Sequence, residues 1–166
     1  DLVHRGLNYA DGKILMITLD AQVIALDANT GKEVWKVKNG DPTKGETITG
    51  AGLIVDGKFV VGISGGEFGV RGHITSYDVR NGKRLWRAYS TGPDEELLLS
   101  DNFNAANPHY GQKDQGTKTW SGDAWKQGGG TTWDWYSYDP ALDLLYYSTG
   151  NPGTWNPDQR PGDNKW

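Results

Sequence analysis

The chain has 166 residues and a formal net charge of −4, enough length for one ordinary domain and no electrostatic footprint for nucleic acid, since Lys and Arg are scattered rather than clustered. No apolar run approaches the roughly 18 residues of a membrane-spanning helix, so membrane insertion of this stretch is excluded, and zero Cys excludes thiolate metal sites, thiol nucleophiles and disulfides within it. The 24 Gly and 8 Trp point away from helices and towards pleated surfaces joined by tight turns.

The chain opens on Asp1 without an initiator Met and stops on Trp166 after "RPGDNKW", a polar stretch that reads as the approach to another element. An internal piece of a longer protein is the expectation. In chain order, the apolar runs "KILMITLDAQVIAL" (13–26), "KFVVGIS" (58–64) and "HITSYD" (73–78) read as strands. Two of them lead into an internal repeat, "ALDANTGKEVW" (25–35) and "SYDVRNGKRLW" (76–86), which sets Asp27 with Asp78, Gly31 with Gly82, Lys32 with Lys83 and Trp35 with Trp86. A degenerate third copy, "YSYDPALDLLYYSTG" (136–150), aligns Asp139 with the earlier aspartates but lacks the Gly-Lys pair and the Trp.

Asp and Gly make the turn of each repeat, and the Trp closes it by packing on a neighbour. One such unit cannot bury both its faces alone. The 51 positions between Trp35 and Trp86 fit a four-stranded propeller blade, and radial stacking of blades solves both burial and edge exposure. The expectation is all-β, about two to three blades of a propeller with tryptophan-docking repeats. The long polar insertion at 91–130 is too large for a hairpin loop, and its Tyr110, Trp120 and Trp125 indicate that it is packed.

Three places can carry chemistry. Glu67 stands among Gly65, Gly66 and Gly69: either a carboxylate that meets a ligand where bare backbone comes close, or a solvated bulge, or a partner for Arg71. In "GGGTTWDW" (128–135), Trp133 and Trp135 alternate as they would on one face of a strand, and the triple Gly opens space over that face. They are an aromatic floor for a planar ligand or two core tryptophans. Asn151, before Pro152, is a turn former or a neutral oxygen ligand for a hard cation. A P-loop, HExxH and a nucleophile elbow are missing; His4, His73 and His109 are isolated and read as surface or hydrogen-bonded residues rather than catalytic ones.

These residues, with "DLVHRG", "TLDAQVIALDANTGKEVWKVKNGDPTKGETIT", "GGEFGVRGHITSYD", "WRAYSTGPD", "NPHYGQK", "GDAWKQGGGTTWDWYSYDP" and "TGNPGTWNPDQRPGDNKW", resemble the large subunit of the pyrroloquinoline-quinone (PQQ)-dependent methanol dehydrogenases along essentially the whole chain. The resemblance implies an eight-bladed propeller, with residues 1–166 part of that single domain. It implies periplasmic oxidation of methanol or another primary alcohol to the aldehyde by hydride transfer to metal-bound quinone, with electrons passed to a cytochrome c and a homodimer of the full-length protein. It places Glu67 and Asn151 as metal ligands, and Trp133 as the floor under the quinone. Arg5, Thr49, Ser64, Gly65, Gly66 and Thr131 fall where the family contacts the cofactor.

The family's catalytic Asp is expected after Trp166 and its vicinal Cys pair before Asp1, so the chain by itself is expected to bind neither quinone nor metal tightly and to show no turnover. Gly66, where the calcium branch tends to carry Ala, and "VKNGDPTKGETIT" look like the lanthanide branch, with Ca2+ as the alternative. The alternatives in function are a quinoprotein dehydrogenase for ethanol or larger alcohols, a non-enzymatic propeller scaffold with no cofactor, and a sugar-binding propeller using exposed Trp.

Overall fold

A computed structural model of the chain describes residues 3–99 and 113–159. Ten strands occur among them: β1 Asn8–Ala10, β2 Lys13–Ile17, β3 Gln22–Asp27, β4 Glu33–Lys38, β5 Leu53–Val55, β6 Lys58–Gly62, β7 His73–Asp78, β8 Arg84–Tyr89, β9 Tyr136–Asp139 and β10 Leu144–Tyr147. They pair antiparallel in chain order as two four-stranded sheets, β1-β2-β3-β4 and β5-β6-β7-β8, and one hairpin, β9-β10. The apolar run at 13–26 divides at Thr18–Ala21, where Ala21 takes a positive φ of 58°.

The repeat behaves as its residue types require. Asp27 caps its own turn, its Oδ1 accepting from the Asn29 and Thr30 amides at 3.1 and 2.8 Å. Asp78 accepts from the Arg80 amide at 2.8 Å in the second copy, and the left-handed turn position falls on Gly31 in one copy and Gly82 in the other. Both sheets carry an irregularity just before this turn, between Ala25 and Leu26 and between Ser76 and Tyr77.

Trp35 then reaches out of its own sheet. Its indole nitrogen donates to the Val79 carbonyl at 2.9 Å, and its ring covers Gly82, where an added Cβ would stand 2.7 Å from the indole. A second clasp, which no sequence pattern announced, forms around buried Asn39: its amide donates to the Gly62 carbonyl at 2.8 Å, and it accepts from the Tyr77 hydroxyl at 2.8 Å. Leu15, Ile17 and Val23 of the first sheet share one apolar core with Phe59, Val61 and Tyr77 of the second. Burial on both faces explains why all six residues of β7 are buried, where a one-sided sheet would alternate.

The third copy is corrected by the topology. β9 lies beside β5 as β5 lies beside β1, so β9-β10 corresponds to the first hairpin of each sheet, not to the Trp-closed second one. Asp139 therefore does not match Asp27 and Asp78 in position, although it caps its turn in the same way, accepting from the Ala141 amide at 2.8 Å. The missing Gly-Lys and Trp belong to strands that this hairpin does not contain.

Within the insertion the described residues form short helical turns, Asp94–Leu97, Gln115–Lys118 and Ala124–Gln127. Trp120 is buried and Trp125 packs under the Arg71 guanidinium, as expected of a packed segment; Tyr110 and His109 lie outside the described residues. His73 is buried and its Nδ1 bonds to the Thr75 hydroxyl at 3.2 Å.

Candidate functional site

The loop after β6 and the loop after β10 occupy equivalent places in adjacent sheets, and each delivers one candidate oxygen ligand. Glu67 sits in a single 3-10 turn, Gly66–Phe68, bounded by Gly65 and Gly69, both left-handed at φ 109° and 82°. Gly65 is required by packing, because a Cβ there would stand 2.1 Å from the Gly45 carbonyl oxygen. Glu67 itself is left exposed, with no hydrogen bond or ion pair among the described residues.

Arg71 is not its partner. The Arg71 guanidinium instead forms an ion pair with Glu96 at 2.5 Å. It also donates to the Thr91 carbonyl and lies 4.0 Å from the ring centre of Tyr89. Glu67 is thus an exposed carboxylate beside a cavity: it does not pair with Arg71, and its 3-10 turn is not a strand bulge, which leaves it facing a ligand or solvent.

That cavity, about 470 Å³, is bordered by Glu67 and Asn151 together with Thr49, Ser64, Gly65, Gly66, Thr131 and Trp133. Eight of the nine site residues expected from sequence line this one space. The ninth, Arg5, stands at its rim: it donates to the Thr49 carbonyl at 2.6 Å, and its guanidinium lies 5.3 Å from the Trp133 ring centre. Thr49 and Ser64 share a hydroxyl hydrogen bond at 2.8 Å, and the Ser64 backbone pairs with Thr47 across the cavity wall.

The triple glycine does not open space, as its composition suggested. It is packed backbone on backbone between the loop that carries Glu67 and the loop that carries Asn151. Gly129 donates to the Val70 carbonyl and accepts from the Gly72 amide, both at 2.8 Å, on the Glu67 side. Gly130 donates to the Asn151 carbonyl at 3.0 Å on the other. A Cβ on Gly129 would stand 2.2 Å from the Gly153 nitrogen, and one on Gly72 1.9 Å from the Gly130 oxygen. Only bare backbone fits three abreast at this spacing.

Buried Thr132 fastens the far end of the segment, donating to the His73 carbonyl at 2.6 Å and accepting from the Ile63 amide at 3.2 Å. Trp133 and Trp135 precede β9 rather than sharing a strand face. Trp133, at 40 % exposure, borders the cavity, whereas Trp135, at 62 %, does not, so neither is a core tryptophan.

Sequence reasoning missed Trp155 and Thr47, which also border the cavity. Trp155 follows Asn151 by one helical-turn spacing in a turn-rich stretch, and only its aromatic identity could have marked it. Among the described residues no group of three or more His, Cys, Asp or Glu is close enough to form a metal cluster. What the site offers is one carboxylate and one amide oxygen, the donor chemistry of a hard cation, beside a glycine-backed cavity and an indole wall suited to a flat, polar ligand.

The family described as outer membrane protein assembly factor BamB matches residues 2–108. The chain is 66 % identical over its full length to a lanthanide-dependent methanol dehydrogenase of Methylacidiphilum fumariolicum (strain SolV), of which it covers 27 %. It is 58 % identical, again over its full length, to the methanol dehydrogenase (cytochrome c) subunit 1 of Methylobacterium organophilum, of which it covers 28 %. A solved europium-containing methanol dehydrogenase superposes with a TM-score of 0.93 at 66 % identity, over 100 % of this chain and 29 % of that one. The chain spans about a quarter of the length of the curated relatives it matches.

Proposed function

The chain belongs to the PQQ-dependent methanol dehydrogenase family, and from that premise we propose that it forms the metal-binding and quinone-floor portion of an enzyme that oxidises methanol or another primary alcohol to the aldehyde. Residues 1–166 are part of a single eight-bladed propeller in this reading. The cation is a lanthanide, and electrons leave to a cytochrome c. The full-length protein works in the periplasm as a homodimer. The observation that carries the reading is the unpaired Glu67 carboxylate beside the same cavity as Asn151 and the Trp133 indole.

Each residue contributes something physically distinct. Arg5, whose guanidinium lies 5.3 Å from the Trp133 ring centre, offsets carboxylate charge on the ligand, and the Thr49, Ser64 and Thr131 hydroxyls supply hydrogen bonds to its polar rim. Gly65 and Gly66 keep that wall free of side chains, and Trp133 offers its face for stacking. Glu67 and Asn151 hold the cation by oxygen. When bound, the quinone supplies the hydride acceptor and the cation the Lewis acid that polarises it. One carboxylate is too little charge for a trivalent ion, so anionic ligands besides Glu67 are needed to complete the site.

The rival reading is a scaffold propeller without cofactor, which the family match to BamB and the Trp-closed sheets suit equally well. It gives no reason for a carboxylate kept unpaired beside an indole-walled cavity. The deciding experiment uses the full-length protein, stripped of metal and quinone and then reloaded. Alcohol-dependent dye reduction that returns with PQQ plus europium supports the proposal; recovery with Ca2+ alone moves the metal to calcium. No recovery with either, and no binding of PQQ, leaves the scaffold. The 166-residue chain alone is expected to show no turnover.

A further inference from the structure

We propose that Arg71 is a positioning residue for the cation site, holding the Glu67 loop in register with the Asn151 loop by locking it to the insertion; this rests on the function proposed above. The backbone between the two ligands runs through Gly128, Gly129 and Gly130, residues with no side chain by which to be held and with the most conformational freedom to lose. Its fixity must come from its neighbours. On one side Thr132 supplies hydrogen bonds. On the other, the residue bridged directly to Gly129 is Arg71, four positions from Glu67 in a loop otherwise rich in glycine.

The Arg71 side chain is held as few surface arginines are. Its fork donates to the Thr91 carbonyl, through Nε at 2.9 Å and through one terminal nitrogen, and that nitrogen also meets the Glu96 carboxylate at 2.5 Å. Its central carbon lies 4.0 Å from the Tyr89 ring centre and 4.8 Å from that of Trp125. The side chain is only 18 % exposed. Gly92 is shaped to this contact, since a Cβ there would stand 1.9 Å from the guanidinium, and the Thr91 hydroxyl closes the cage by donating to the Trp125 carbonyl at 3.2 Å.

Charge, fork geometry and a flat face are all used at once, a combination that Lys does not reproduce. Through this one guanidinium the insertion's Glu96 and Trp125 reach the metal site while touching neither ligand. Outer residues that orient a metal ligand characteristically change affinity by about 10 to 100-fold when altered.

The test is europium binding to the full-length protein, followed by Eu3+ luminescence against a competing chelator well below the melting temperature. Arg71→Lys is expected to weaken Eu3+ binding at least about tenfold, and Glu96→Gln, which spares the stacking, to weaken it by less. A purely structural role would lower the melting temperature of both variants and leave the Eu3+ affinity within twofold of wild type; that result overturns the inference. Should Arg71→Lys fail to fold, an unchanged affinity in Glu96→Gln overturns it equally. Wild-type protein that binds no Eu3+ defeats the proposed function first, and this inference with it.

Discussion

The indole nitrogen of Trp35 donates to the main-chain carbonyl of Val79, 44 positions away in the turn that joins β7 to β8 of the next sheet. This bond and the stacking of the same ring over Gly82 make one side chain the fastener between two repeats. Trp35→Phe keeps most of the ring and strands the Val79 carbonyl, so a loss of about 1–3 kcal/mol is expected. Trp35→Ala also leaves a large hole, for about 3–5 kcal/mol. Urea unfolding of the full-length protein checks both: a negligible cost for Trp35→Phe would contradict the hydrogen-bond part, and equal costs for the two variants would contradict the packing part.

Glu67 separates binding from folding. Its side chain is exposed and unpaired, so Glu67→Gln is expected to leave metal-free stability within about 0.5 kcal/mol of wild type. Cation affinity is expected to fall by more than the roughly 100-fold that loss of an outer partner produces. Calorimetric unfolding of the metal-free protein and a Eu3+ titration give the two numbers.

Gly129→Ala acts through the backbone. The new methyl would stand 2.2 Å from the Gly153 nitrogen at a φ of 89°, with neither wall free to move without carrying the Glu67 or the Asn151 loop along. A destabilisation of about 1–3 kcal/mol is expected, together with weakened Eu3+ binding. Gly12→Ala serves as the control: it too has a positive φ, but its Cβ would meet open space, so only the backbone cost appears and binding is unchanged.

Burial holds the His73 imidazole neutral, its pKa well below the ordinary 6.5, with the positive charges of Arg87, Arg71 and Arg84 acting in the same direction. The unfolded chain takes up a proton near pH 6.5 that the folded chain refuses. Stability contributed by this group is therefore complete above pH 6.5 and declines as pH falls below it, by up to about 1.4 kcal/mol per pH unit. Urea midpoints between pH 7.5 and 5 measure the slope, which is expected to flatten in His73→Gln.

The sequence carried the repeat, the turn chemistry and the docking tryptophan because each is local: an Asp that caps, a Gly at a left-handed turn, a Trp at a fixed distance behind them. It also marked the residues that meet around the cavity, through their resemblance to a family and not through spacing alone. Three things were illegible for one reason, that they depend on what arrives from elsewhere in the chain. Asp139 looked like Asp27 because both cap turns, and only the contact of β9 with β5 shows which hairpin it belongs to. The triple glycine read as open space when it is the tightest backbone packing near the site. Arg71 read as a partner for the carboxylate four residues away, yet Glu96, 25 positions on in the insertion, claims it. Asn39 and Thr132 left no trace, since a single buried polar residue has no period to betray it.

The two loops that deliver Glu67 and Asn151 stand at matching points of adjacent repeats, so the pair exists only where two repeats meet. Under the proposed function, cation binding would therefore report docking of the later repeat on the earlier one: a chain in which that docking is lost keeps both loops and loses the site.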